Sequence, residues 1–249
     1  MNINMHTSLA RRTVLLIQSR FKALLLTVLA IQITEFRRLA SGDISAMLAS
    51  GIDTYSLLCL AFPFIFMAGV VSGDFRTGVA RLWLQKPVDP VRFYLCRFAE
   101  RFLVALACTL LTLGAIRLGT VALGAPDEIG LLLGRLPYVL VLACVTFGFS
   151  CWISRGSTLV AIGFLSAGAV AHQVAWPGQL GRPWNWLFEA ILVPIPAIGE
   201  FRDFLVGVSD AVWIPLAQIL TYSVGWTGLG ALGVWYTVNK GRLPHAEQS

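Results

Sequence analysis

Three polar residues within apolar stretches of the sequence have side chains that could contact a ligand. Arg117 is the only Asp, Glu, Lys or Arg inside any long apolar segment after residue 50, and His172 and Gln173 lie near the end of another such segment. A charged side chain costs about 2.5–3.5 kcal/mol at the centre of a bilayer, so Arg117 is a candidate contact for an anionic substrate. Arg117 is also close enough to a segment end to reach the surface, and a lone histidine is commonly a hydrogen-bonded interface residue. A structural role for these residues is therefore the alternative.

The sequence contains no signature of a nucleotide site, a hydrolase or a metalloenzyme. Segment 73–80 has the G-x-x-x-x-G spacing of a phosphate-binding loop, but the Lys and the Ser or Thr of that motif are missing. There is no H-E-x-x-H, no nucleophile elbow and no G-x-G-x-x-G that follows a strand. The five cysteines do not have metal-ligand spacing. We therefore expect no catalytic residue, metal or cofactor in this chain.

The composition indicates that the elements positioning these residues are membrane helices. Charged residues are 13% of the chain and apolar residues 57%, whereas soluble domains are about 25% charged. Crossing ~30 Å of hydrocarbon requires about 17–25 apolar residues in a helix. The sequence predicts an all-α polytopic membrane protein with one domain, residues 1–249. Its six predicted spans are about 21–36, 54–72, 102–123, 136–153, 158–176 and 211–238.

The basic residues are distributed unevenly between the two sides that six spans define. One side contains thirteen of the nineteen Lys and Arg residues with four acidic residues, and the other contains six basic and nine acidic residues. Because cytoplasmic loops are enriched in Lys and Arg, we expect both termini in the cytoplasm. The net charge of +6 then reflects topology and anionic lipid headgroups, and nucleic acid is not an expected partner.

The long cytoplasmic loop between spans two and three contains signals for two helices. Segment 76–85 groups Val79, Leu82 and Trp83 on one face and predicts a short helix that Pro87 stops. The pair Asp89-Pro90 then predicts the start of the helix that continues into span three, because Asp caps free N–H groups and proline suits the first helical position.

The outer loop between spans five and six, 177–210, is rich in aromatic and apolar residues. The apolar run 190–198 within it is too short to cross a bilayer and is interrupted by two prolines. A broken pair of re-entrant or interfacial helices and an aromatic interfacial loop are both compatible with this pattern.

The cytoplasmic segment from Ser72 to Phe98 resembles the coupling segment of ABC transporter type 2 permeases. In that family an acidic residue and a glycine precede a short helix, a Pro-Val turn and a helix that enters span three. The residues at those places here are Asp74, Gly78, Leu82, Leu84, Pro87, Val88, Arg92, Phe93 and Leu95. The chain departs from the pattern in having Asp74 where Glu is commoner, Val79 where Thr is commoner, and Asp89-Pro90 in place of Ser-Arg.

The resemblance implies the membrane-spanning permease subunit of an ATP-driven exporter in a cell membrane such as the bacterial inner membrane. Two permease subunits, identical or different, would form the translocation path, with Arg117, His172 and Gln173 as candidate lining residues. A separate ATP-binding subunit would carry ATP and Mg²⁺. The residues expected to couple the two subunits are Asp74, Arg76, Gly78, Leu82, Trp83, Lys86, Pro87 and Val88.

Two alternatives belong to other functional classes. An intramembrane or lipid-modifying enzyme would require a polar catalytic cluster at one membrane depth, and the sequence does not contain one. A non-catalytic membrane scaffold would form no lumen between paired subunits. Association with an ATPase distinguishes the permease from both.

Overall fold

The computed structural model of the chain is all-α in the residues that it describes, and no β-strand occurs among them. Five helices have complete bounds: α1 Ser72–Thr77, α2 Pro90–Ala122, α3 Leu136–Trp152, α4 Ser157–Gln173 and α5 Trp213–Asn239. Further helical stretches cover 18–27 and 61–67. The described residues are 15–16, 18–27, 29, 61–80, 89–122, 136–173 and 213–239. The prediction of an all-α chain is confirmed.

Helix α2 begins where the local sequence signal predicts. Its first residue is Pro90, and the backbone N–H of Val91 donates a 2.9 Å hydrogen bond to a side-chain oxygen of Asp89. This bond satisfies one of the N–H groups that have no partner within the first turn of a helix. Asp89 therefore caps α2, and the predicted continuous helix from the loop into segment 102–123 is confirmed.

The chain around residue 70 differs from the prediction. The helical stretch that overlaps the predicted second span ends at Met67 rather than Ser72, because a turn at 68–71 contains Gly69 with φ +66°. Within the short helix predicted over 76–85, residues 79 and 80 are helical and 81–85 lie outside the described residues, but a separate helix, α1, runs from Ser72 to Thr77. Gly78 ends it in the left-handed conformation, with φ 74°. The prediction missed this break because the apolar periodicity of the segment ignores Gly78.

The described residues belong to two compact units, each built from separate parts of the chain. The first comprises the described residues within Met1–Phe66 and Glu100–Val139. Its buried core contains Phe62 and Phe66, whose ring centroids are 6.4 Å apart. The Arg101 side chain, also buried, donates a 3.1 Å hydrogen bond to the Phe66 carbonyl oxygen. The other core residues are Val104, Ala105, Leu113 and Val139.

The second unit comprises the described residues within Met67–Ala99 and Leu140–Ser249, and α3 is its centre. Every residue of α3 from 141 to 148 is buried. Glycines bring α3 and α5 together: a Cβ at Gly148 would lie 2.8 Å from the Trp226 ring, and one at Gly230 would lie 2.7 Å from the Phe147 ring. Such close approach makes these contacts intolerant of larger residues.

Within the described ranges, one helical segment is long and apolar enough to cross a membrane. It is Pro90–Ala115 in α2, whose most apolar 18-residue stretch has a mean hydropathy of 1.6. The segments Val139–Trp152 and Ser157–Ala167 are apolar but shorter.

Candidate coupling site

Helix α1 has one buried side and one exposed side. Ser72, Asp74 and Phe75 are buried, whereas Arg76 and Thr77 are exposed. A six-residue helix is too short to be stable alone in water, so its position depends on the contacts of its buried side. The contacts of the buried side therefore decide where α1 lies.

A buried acidic side chain links α1 to α2. The Arg97 guanidinium donates to the Asp74 carboxylate in an ion pair, and the Tyr94 hydroxyl donates a long hydrogen bond of 3.5 Å to the same carboxylate oxygen. Tyr94 and Arg97 lie three residues apart on α2 and therefore share one face of that helix. The two contacts compensate part of the cost of removing a charge from water.

Tyr94 contacts α1 through its ring as well as through its hydroxyl. Its ring is 1% exposed and stacks on Phe75 with centroids 6.1 Å apart and planes at 25°. Burial raises the pKa of the Tyr94 phenol well above its usual range, and the negative charge of Asp74 adds to this effect. The phenol is therefore protonated at neutral pH and can act as the donor to Asp74.

Serine side chains form hydrogen bonds at the N-terminal end of α1. The Ser150 hydroxyl oxygen on α3 accepts hydrogen bonds from the backbone N–H groups of Val71, at 3.2 Å, and Ser72, at 3.4 Å. The Ser72 hydroxyl lies 3.5 Å from that of Ser150 and 3.5 Å from that of Ser157, the first residue of α4. These bonds satisfy N–H groups at the start of α1 that its own turns leave without partners.

Left-handed glycines interrupt the backbone on both sides of α1. Gly69 has φ +66° and Gly78 has φ +74°, a left-handed backbone conformation that residues other than glycine rarely adopt. The Gly73 N–H donates to the Gly69 carbonyl at 3.2 Å, and the Gly78 N–H donates to the Phe75 carbonyl at 3.4 Å. Helix α1 is thus a separate short element rather than a continuation of the residues beside it.

The structure places three of the predicted coupling residues together. Asp74 and Arg76 lie on α1, and Gly78 ends it. Asp74 is directed into the protein, whereas Arg76 is exposed. The other predicted coupling residues lie outside the described residues, namely Leu82, Trp83, Lys86, Pro87 and Val88.

The three candidate residues for a translocation path lie near helix ends. Arg117 is on α2, five residues before its last residue, and is partly exposed. His172 and Gln173 are the last two residues of α4. Arg117 belongs to the first unit, and His172 and Gln173 belong to the second.

Sequence reasoning missed the residues that hold α1 in place. The sequence patterns considered above do not mark Arg97, Tyr94 or Ser150 as partners of this helix. One feature of the sequence could have pointed to such a partner. Asp74 lies among apolar residues, and a carboxylate that becomes buried requires a hydrogen-bond donor or a cation. Nothing in the sequence around Ser150 distinguishes its hydroxyl from that of Thr146 one turn earlier.

The ionisable and hydroxyl groups around α1 are engaged in contacts that hold this helix against α2, α3 and α4. Its one carboxylate is paired, and the described ranges contain no cluster of three or more His, Cys, Asp or Glu side chains that could hold a metal. Comparison with known proteins adds no relative: no protein-family model matches the sequence, and no curated protein is significantly similar to it.

Proposed function

We propose that this chain is the membrane-spanning permease subunit of an ATP-driven ABC exporter, with six spans and both termini in the cytoplasm. Two such subunits form the translocation path, and a separate ATP-binding subunit supplies the energy. The observation that carries the proposal is α1: a short helix with an exposed basic side, whose buried Asp74 is paired with Arg97 near the start of the long apolar helix α2.

The surface of α2 supports a position in lipid. Only 28% of the most apolar 18-residue stretch within Pro90–Ala115 is buried, whereas the core helix of a water-soluble protein is mostly buried. Large apolar side chains point outward along the helix: Leu103, Leu110, Leu111 and Leu118 are 45–76% exposed. A continuous apolar surface of this kind requires lipid or another apolar partner.

Hydroxyl groups on the helices support the same assignment. The side-chain hydroxyls of five threonines donate 2.7–2.9 Å hydrogen bonds to the carbonyl four residues earlier in their own helix. This arrangement satisfies a polar group where neither water nor a polar neighbour is present. The five are Thr109, Thr112, Thr146, Thr221 and Thr237.

The ends of the helices carry residues typical of a membrane surface. Arg117 lies five residues before the end of α2, where a long basic side chain can reach the headgroup layer. Trp152 at the end of α3 contacts Tyr236 near the end of α5, with ring centroids 5.9 Å apart. Aromatic side chains are enriched at this level of the bilayer.

The need for a separate ATP-binding subunit follows from the residues that this chain lacks. Segment 73–80 lacks the residues that bind phosphate and Mg²⁺, so ATP would be hydrolysed by the partner. Arg76 and the 36% exposed Val79 present a basic and apolar contact surface for that partner. Movement of this surface would displace Asp74 and hence the Arg97 end of α2.

The decisive experiment is to purify the tagged chain in mild detergent, identify a bound P-loop ATPase and measure its activity. We expect the chain to stimulate the ATPase and Arg76→Glu to remove most of the stimulation. Arg155→Glu is the matched control, since it makes the same charge change at an exposed position between α3 and α4. Purification without an ATPase, or equal losses in both variants, would contradict the proposal and favour the enzyme or scaffold alternatives.

Topology is tested separately by labelling a single cysteine. In a variant without the five native cysteines, Ser154→Cys places a thiol at an exposed position between α3 and α4. We expect an impermeant maleimide to label it only when the cytoplasmic face of the membrane is accessible. Labelling from the outside would reverse the proposed orientation, and recovery of the chain without membranes would refute the membrane assignment.

A further inference from the structure

We propose that Ser150 is a positioning residue that ties α1 to the α3–α4 hairpin, so that displacement of α1 moves α4 as well as α2. This inference rests on the proposed function, because the displacement comes from an ATP-binding subunit docked on the exposed side of α1. It assigns a second route of transmission, distinct from the Asp74–Arg97 ion pair.

The hydrogen bonds of Ser150 reach across the fold. Its side chain is buried, and its hydroxyl oxygen accepts from the Val71 and Ser72 backbone N–H groups at 3.2 and 3.4 Å. The Ser72 hydroxyl in turn lies 3.5 Å from the Ser157 hydroxyl. A chain of three buried serine hydroxyls thus connects the end of α3, the start of α1 and the start of α4.

Thr146 shows that this arrangement is particular to Ser150. Thr146 lies one turn earlier on α3 and is fully buried, but its hydroxyl donates to the Leu142 carbonyl of its own helix at 2.7 Å. Its hydrogen bond therefore lies within α3 and does not connect α3 to another helix. The Ser150 hydroxyl instead accepts from the N–H groups of Val71 and Ser72, the N-cap and first residues of α1, whereas the next two N–H groups donate to the Gly69 and Val71 carbonyls.

The backbone geometry explains why these bonds matter for transmission. Left-handed glycines at positions 69 and 78 break the helix on both sides of α1, so a rigid helical rod does not extend from α1 in either direction. Displacement of α1 therefore passes through its lateral contacts. On one side these are Asp74 with Arg97, and on the other they are Ser150 and Ser157.

The first test measures amide hydrogen exchange in the full chain in lipid nanodiscs. We expect Ser150→Ala to increase exchange of the Val71 and Ser72 amides by about tenfold, because their acceptor is lost in a buried setting. Thr146→Val, the matched control, should leave these amides unchanged, and Ser150→Thr should retain protection. Unchanged exchange in Ser150→Ala, or an equal increase in Thr146→Val, would overturn the role of Ser150.

The second test adds the ATP-binding subunit and compares exchange with and without a non-hydrolysable ATP analogue. In the unmodified complex we expect ATP-dependent changes in α1 and in the first turn of α4, 157–160. Ser150→Ala should retain the α1 change and lose most of the α4 change. A persisting α4 change would overturn the inference.

The two tests separate failure of the inference from failure of the proposed function. If no ATP-binding subunit docks on the chain, the proposed function fails, and with it the transmission. The exchange of Val71 and Ser72 still decides whether Ser150 holds α1. If docking and ATPase stimulation are normal but Ser150→Ala leaves the α4 response intact, the inference alone fails.

Discussion

The carboxylate of Asp74 on α1 is paired with the guanidinium of Arg97 on α2, twenty-three residues later in the chain. Asp74 is buried, whereas Arg97 retains contact with solvent. The pair therefore fixes a short helix, whose other side is exposed, to a helix of thirty-three residues. Under the proposed function, this ion pair would join the surface that contacts the ATP-binding subunit to a membrane helix.

Removal of Arg97 should destabilise the protein more than removal of a neighbouring arginine. Arg97→Ala leaves the Asp74 carboxylate buried with only the Tyr94 hydroxyl as a donor, which should cost about 1–3 kcal/mol. Arg92→Ala removes an exposed side chain of the same helix and should cost less than about 0.5 kcal/mol. Unfolding in detergent, followed by tryptophan fluorescence, measures both. Equal losses would show that the ion pair contributes no stability.

The stability of the protein should decrease in alkaline solution because of Tyr94. Burial and the charge of Asp74 raise the pKa of its phenol in the folded state, so the folded chain holds this proton more tightly than the unfolded chain. The contribution is complete below the unfolded pKa of about 10 and is lost as pH rises beyond it. We expect Tyr94→Phe to reduce this alkaline loss in unfolding measured from pH 8 to 11. An identical pH profile in both proteins would contradict the assignment.

Two glycines of α5 should respond in opposite ways to the same substitution. A Cβ at Gly230 would lie 2.7 and 2.8 Å from ring carbons of Phe147, so Gly230→Ala should cost about 1–3 kcal/mol through overpacking. Gly228 is exposed and has no atom within 4 Å of that position, so Gly228→Ala should be neutral or stabilise the helix by up to about 1 kcal/mol. Thermal unfolding of the two variants tests the packing of α3 against α5. Equal melting temperatures would contradict it.

A lysine substitution on the exposed surface of α2 should reduce membrane insertion more the closer it lies to the middle of the bilayer. Leu111 is 74% exposed near the middle of the proposed third span, and Leu118 is 76% exposed near its end. Leu111→Lys should reduce membrane insertion by about 2.5–3.5 kcal/mol, and Leu118→Lys should cost less because its side chain can reach the headgroups. Glycosylation mapping of insertion measures both. In a water-soluble protein neither exposed substitution would matter.

Local sequence signals predicted some elements of the fold correctly. Asp89 and Pro90 predicted the start of α2 because capping depends on residues within one turn. The same reasoning placed the end of the second helical segment at Ser72 and missed the turn at Gly69. A glycine is compatible with a helix as well as a turn, and the contacts of the following residues decide which forms.

The contacts of α1 were predicted only in part, because its partners are distant in sequence. The resemblance to the coupling segment drew attention to Asp74, Arg76 and Gly78, and their role in coupling stays a prediction. Ser150 accepts hydrogen bonds from residues seventy-eight and seventy-nine positions earlier in the chain. No local sequence pattern identifies a serine whose hydroxyl forms hydrogen bonds outside its own helix. Such a contact arises only when α3 is packed beside α1.

The sequence by itself determined that the chain is helical, that its charge is concentrated between apolar segments, and that it lacks a phosphate-binding motif. Which arginine would neutralise Asp74 was decided only by the tertiary structure. Arg97 and Arg101 are four residues apart and share a helix face, so spacing does not distinguish them. Arg97 pairs with Asp74, whereas Arg101 is buried and donates to the Phe66 carbonyl. The choice depends on which groups packing brings within hydrogen-bond distance, and helical periodicity contains no such information.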